Sequence, residues 1–120
     1  MRIALYGKTT VCENLRKYFS EYEVRVFTGL EKFIWELRNE WFDAVFVVMD
    51  NAAGMEGALA AKRCDLRLPV VWFSNDRDFA AQAYRSRIDY FSVMPITAEK
   101  IDLALKTCRK MSRDNFKGKN

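Results

Sequence analysis

Histidine is absent from the 120 residues of this chain. With it goes the side chain most used as a general base near neutral pH and as a metal ligand, which weighs against hydrolase and metalloenzyme chemistry. Cysteine is scarce: Cys12, Cys64 and Cys108 are odd in number, far apart, and form no Cys-x-x-Cys pair. Neither a disulfide framework nor a zinc site is expected, and each thiol reads as a small apolar side chain on a helix. No apolar run approaches the ~20 residues that span a bilayer. Met1-Arg2 leads straight into the strand-length run IALY, with no cleavage pattern behind it. A cytoplasmic location without a membrane partner is the resulting expectation.

What is present suits one ordinary globular domain. Half of the residues are hydrophobic and 30% are charged, enough for one core and not two. The net charge of +4 is concentrated at one end. Beyond Cys108, the cations Arg109, Lys110, Arg113, Lys117 and Lys119 stand against Asp114 alone, which accounts for the whole excess. The body is therefore neutral, the basic tail reads as a solvated end, and no direct nucleic-acid binding is expected.

The chain is arranged around Phe42 to Gly57, FDAVFVVMDNAAGMEG. Ala44 to Met49 is apolar without alternation, as in a strand buried on both faces of a parallel sheet. It stops at a lone carboxylate, Asp50, and Asn51 to Gly54 turn the chain into a helical pattern. Ligands of open α/β sheets gather beyond the carboxyl ends of central strands, so an acid there is a candidate site residue.

The flanking segments repeat one unit. RIALY (2–6) is a strand, and Thr9 or Thr10 caps a helix with Val11, Leu15, Tyr18, Phe19 and Tyr22 at helical spacing. EVRVFT (23–28) alternates like an edge strand; Gly29 opens a helix whose face is Phe33, Ile34, Leu37 and Trp41. Met55, Ala58, Leu59 and Lys62 mark a third helix ending near Cys64, and LPVVWFS (68–74) is a fourth strand with Pro69 at its start. An alanine-rich helix over 79–87 and a strand over 88–93 follow. Thr97 caps a last helix with Ile101, Ala104, Leu105, Cys108 and Met111 on its apolar face. Five βα units with short loops predict right-handed crossovers and a flavodoxin-like three-layer sandwich: a five-stranded parallel sheet of order 2-1-3-4-5 with five helices. Residues 1–112 form the domain and 113–120 a basic, flexible tail.

Several stretches in this order resemble the receiver domain of response regulators (CheY-like), and most nearly the receivers that precede LytTR-type DNA-binding domains. MRIALYGKT stands where that family has MRIAI followed by an acidic pair. FDAVFV is similar to its third strand, GMEG to its GM-D/S-G, and LPVVWFS to a fourth strand ending in Thr or Ser. FAAQAYRSRIDYFSVMPITAEKIDLAL resembles the run AxxAF…AxDYLLKPI…L…AL.

The resemblance implies phosphotransfer to an aspartate, with Mg²⁺ held by acids after the first strand, a Ser/Thr on the fourth and a lysine before proline on the fifth. In such a transfer the metal, a cation and a hydroxyl hold the phosphoryl oxygens. Measured against that pattern, Gly7 and Lys8 replace the acidic pair, and Mg²⁺, which demands hard oxygen ligands, is not expected as a cofactor. Counting from Asp43 puts Val48 at the phosphoacceptor position; counting back from Gly54 puts Met49 there. Asp50 lies one or two residues further on, and Met94 stands where the lysine precedes Pro95; only Ser74 matches. The switch aromatic is Phe91 counted from Pro95 or Tyr90 counted from the Asp-Tyr pair, with plain packing of both as the alternative.

The expectation is a pseudo-receiver: a non-enzymatic module of two-component signalling, with a degenerate pocket of Gly7, Lys8, Val48, Met49, Asp50, Ser74, Met94 and Pro95. Its partner, another protein or a second copy, would dock on helix 4, strand 5 and helix 5. Lys8 paired with Asp50 could replace the metal, or both could be solvated. Two alternatives remain: Asp50 as a displaced phosphoacceptor, or the receiver half of a transcription regulator. Gly7-Lys8-Thr9-Thr10 is not a P-loop, because the glycine required five residues earlier is Arg2.

Overall fold

The structure, a computed structural model, describes residues 1–118, with side chains through Met111. β1 (Arg2–Gly7), β2 (Glu23–Phe27), β3 (Ala44–Val48), β4 (Val70–Ser74) and β5 (Tyr90–Val93) form one sheet. All four pairings are parallel and the strand order is β2-β1-β3-β4-β5. Every residue of β3 and β4 is buried, as expected of central strands covered on both faces. α1 (Thr9–Leu15) and α5 (Ala98–Gly118) cover one face; α2 (Leu30–Asn39), α3 (Asn51–Cys64) and α4 (Ala80–Arg85) cover the other.

Side chains alternate between two cores. Ile3, Leu5, Phe46, Val48, Val71 and Phe73 point to the face where α1 places Cys12 and Leu15 and α5 places Ile101, Ala104, Leu105 and Cys108. Ala4, Tyr6, Val45, Val47, Val70 and Trp72 point to the other, against Phe33, Ala58, Ala61 and Ala83.

Element ends depart from the sequence reading where local bonds intervene. Lys8, not a threonine, sits at the α1 N-cap, with no side-chain cap bond, and α1 tightens after Leu15 into a 3-10 turn, Arg16–Phe19. Thr97 does cap α5: its hydroxyl oxygen accepts from the Lys100 amide at 3.2 Å. Trp41 is not on the α2 face. The helix ends at Asn39 and Glu40 is extended, so Trp41 leaves helical register and stands 68% exposed. β4 starts two residues later than expected because Leu68 closes a turn onto the Asp65 carbonyl. β5 also starts late, since the Ile88 amide closes the end of α4 on the Ala83 carbonyl while Arg87 takes a left-handed φ of 60°. A 3-10 turn, Arg77–Phe79, precedes α4. α5 runs on to Gly118 instead of ending near Met111. The flexibility expected of 113–120 concerns side chains and end residues outside those described.

A buried ion pair joins α3 to the roots of β4 and β5. Lys62 Nζ lies 2.6 Å from Asp89 Oδ2 and donates to the carbonyls of Leu68 (3.0 Å) and Leu66 (3.2 Å). The same Asp89 oxygen accepts from the Val70 amide at 2.7 Å. At the other end of β5, the Met94 amide bonds the Ser74 carbonyl, so the Val93 carbonyl of the same peptide faces the open side of the sheet. Lys100 Nζ donates to that carbonyl (2.6 Å) and to the Pro95 carbonyl (2.9 Å).

Candidate functional site

The carboxyl edge of the sheet brings Gly7, Val48 and Ser74 to the ends of β1, β3 and β4, in the register Gly7↔Val48 and Ser74↔Val93. Val48, not Met49, is therefore the β3 residue beside the end of β1. It is 2% exposed and belongs to the core on the α1/α5 face, whereas Met49 is half-buried against the opposite core. A Cβ built on Gly7 would overlap Val48 Cγ2 and lie 3.2 Å from Cys12 Sγ. The space in which a side chain at position 7 would face one at position 48 is filled by hydrocarbon and sulfur.

Outside this packed point the polar groups are tied to one another. Asp50 occupies the N-cap position of α3, but its carboxylate makes no cap bond. It lies 4.0 Å from Lys8 Nζ, with the two side chains 45% and 68% exposed. The pair raised by the sequence thus forms, at the outer limit of an ion pair and in water, where such a contact is worth about 0–1 kcal/mol. Asn51 takes a left-handed φ of 53°, a conformation asparagine tolerates well, and its amide donates to Asn75 Oδ1 at 3.2 Å. Ser74 is fully buried, and its hydroxyl oxygen accepts from the Asp76 amide at 3.1 Å. As an acceptor it closes its own turn.

Met94 is half-buried against the α1/α5 core, and its peptide bond to the exposed Pro95 is cis. Tyr90 and Phe91 are consecutive in β5 and point to opposite faces. Tyr90 packs 6.0 Å from Phe73, and Phe91 stands edge-on to Trp72 at 5.1 Å. Among the described residues, no group of three or more His, Cys, Asp or Glu side chains could hold a metal ion. At this edge Gly7, Val48 and the Lys8 ammonium offer no hard-oxygen side-chain donor, and Asp50 is the one carboxylate described beside them.

Burial holds the nearby thiols in their neutral form: Cys12 is pushed up to about 11, with Arg16 partly opposing, and Cys108 up to about 12. Neither is a nucleophile near neutral pH. Tyr6 is raised by burial and, secondarily, by the Glu56 charge. Elsewhere, a hollow of about 50 Å³ between α2 and the α3–β4 turn is lined by Leu37, Glu40, Trp41, Phe42, Asp65 and Leu68. It is far below the roughly 300–1,000 Å³ of a small-molecule site. No helix among the described residues is long and apolar enough to cross a membrane.

Sequence reasoning missed Asn75, Lys100 and the Lys62–Asp89 pair. Lys62 carried a signal as a lysine inside an apolar helical pattern, the position where a buried cation with a partner would fall.

No protein-family model and no curated protein matches the chain. Solved structures do match. A CheY-like response regulator receiver domain protein from Methanospirillum hungatei JF-1 superposes with a TM-score of 0.78 at 15% identity, covering 97% of each chain. The response regulator TrrA from Thermotoga maritima, in complex with Mg²⁺-BeF, gives 0.76 at 15% identity over 89% of this chain and 97% of that one. A structure described as adenylate cyclase from Rhodopirellula baltica gives 0.85 at 17% identity, over 98% and 93%. The class these define is the CheY-like, flavodoxin-type receiver fold. It is a likeness of architecture, and function must be argued from the site.

Proposed function

We propose that the chain is an atypical receiver: a protein-interaction module of two-component or phosphorelay signalling that works without Mg²⁺-dependent aspartate phosphorylation, and not an enzyme. The observation that carries this reading is the packing of Val48 against Gly7. An aspartate on β3 and an acid after β1 would have to meet there around a metal, and the point is apolar and closed. Lys8 and Met94 support it, because they stand where the acid and the cation that phosphoryl transfer draws on would be.

Docking through α4, β5 and α5 fits two exposed apolar side chains on those helices, Tyr84 (86% exposed) and Leu103 (48%). A likeness to LytTR-type receivers is proposed from MRIALYGKT, FDAVFV, GMEG, LPVVWFS and the run FAAQAYRSRIDYFSVMPITAEKIDLAL together, and an effector domain joined to this one accords with it.

The test is incubation with Mg²⁺ and either acetyl phosphate or beryllofluoride, read by intact mass and thermal shift. No adduct and no shift is the expected outcome. A phosphoryl mass gain at Asp50 would overturn the proposal in favour of a displaced acceptor.

A further inference from the structure

We infer that the carboxyl edge of this sheet is a permanently closed joint, which fixes the loops after β1, β3 and β4 in one arrangement with the chain's own side chains. This regulation of the site rests on reading it as one that takes no metal.

The joint has an inner and an outer part. Inside, the last residue of β1 has no side chain because the last residue of β3 fills its place. Val48 Cγ2 overlaps where a Gly7 Cβ would be, Cys12 Sγ of α1 is 3.2 Å from that point and the Val48 carbonyl oxygen 3.4 Å. Val48 and Cys12 are 2% and 1% exposed, so the three elements meet away from solvent. Interiors packed this closely have discrete arrangements and do not deform smoothly. Outside, Lys8 reaches Asp50 (4.0 Å), the Asn51 amide reaches Asn75 (3.2 Å), and Ser74 closes on Asp76 (3.1 Å). The Asn51–Asn75 bond joins the β3–α3 loop to the segment leading into α4, while the exposed Lys8–Asp50 contact ties the β1–α1 loop to the β3–α3 loop only weakly.

A ligand shifts an equilibrium only through differential affinity for two states. To move this edge to a second state, a ligand would have to separate Val48 from Gly7 and break the Asn51–Asn75 bond.

The joint predicts coupling between two residues on different strands. Gly7→Ala should lower the melting temperature by several degrees in the natural chain. In a Val48→Ala background, where the overlapping methyl groups are gone, it should cost less than half as much. Equal cost in both backgrounds overturns the joint. Val48→Ala alone, which only removes atoms and keeps the chain foldable, should speed amide exchange at Lys8 and across 49–54 at least tenfold relative to β4; unchanged exchange there also overturns it. In the natural chain, Mg²⁺ with beryllofluoride should leave protection of 49–54 and 75–79 within twofold, and a tenfold change refutes the fixed state. An adduct formed with protection unchanged would refute the metal-free reading while supporting the joint, so the two failures are distinguishable.

Discussion

Lys62 is a charge inside the protein, tolerated there because its ammonium group has three acceptors: the Asp89 carboxylate and the carbonyls of Leu66 and Leu68. Such pairs cost more to break than they contribute when intact, since the survivor is left charged in a poorly solvated place. Lys62→Ala is expected to lower stability by about 3–5 kcal/mol in urea denaturation. The double replacement Lys62→Met with Asp89→Asn should recover most of that loss. An equal loss in the double variant would mean that packing, not charge, carries the effect. At this scale the sequence was half legible: it placed Lys62 on the apolar side of a helix, but the partner lies far along the chain and follows only from tertiary register. The same holds at the site. The positions that differ from the receiver pattern, and Ser74 that matches it, are visible by reading along the chain. That Val48 rather than Met49 closes over Gly7 depends on how β3 pairs with β1.

Helix α3 shows how an element is brought close enough to the sheet to make a core. Gly57 lies against the Tyr6 ring, with a virtual Cβ 2.6 Å from Cε2, and that ring is stacked on Phe33 at 4.7 Å and 7°. The phenol cannot swing aside without unstacking, so the glycine is needed for the approach and not for its backbone freedom. Gly57→Ala gains helix propensity of at most about 1 kcal/mol but meets an immovable neighbour, and overpacking of this kind costs about 1–3 kcal/mol. A net fall in melting temperature is expected, whereas Gly29→Ala, with open space around its virtual Cβ and φ −117°, should cost less, its N-cap loss offset by the lower entropy of the unfolded chain. Equal behaviour of the two variants would rule out the close-approach argument. The number, type and order of elements were legible because long apolar runs and helical spacing are local signals. Their ends were not: the α2 stop before Trp41, the late start of β5 and the 3-10 turn after α1 are set by single backbone bonds.

The molecule as a whole carries two neutral thiols in one core, and this gives its stability a direction with pH. Cys12 and Cys108, at about 11 and 12, bind their protons more tightly folded than unfolded, where a thiol titrates near the reference value of 9.0. Folding is therefore fully supported by these groups below about pH 9, and the support is lost as pH rises from there through 11 and 12. Each thiol contributes at most about 1.4 kcal/mol per pH unit over that window. The urea midpoint should fall between pH 8.5 and pH 10.5 and fall less in a Cys12→Ala/Cys108→Ala variant; a variant as steep as the natural chain would assign the slope to other groups. The three-layer fold and its 2-1-3-4-5 order were legible at this scale from the buried central strand, the edge-like second strand and the repeated βα unit. Which face each helix covers was not, because that is decided by alternation along strands read against partners distant in sequence.

Lys100 spans two of these scales. By donating to the outward carbonyl of Val93 it occupies the last acceptor on the free margin of β5. An unpaired strand margin is a template on which another chain can polymerise. A lysine arm folded over that template both occupies its acceptor and sets a positive charge in the path of an incoming strand. At this carbonyl, next to the face proposed for partner docking, the strand margin is covered by the chain's own charged side chain.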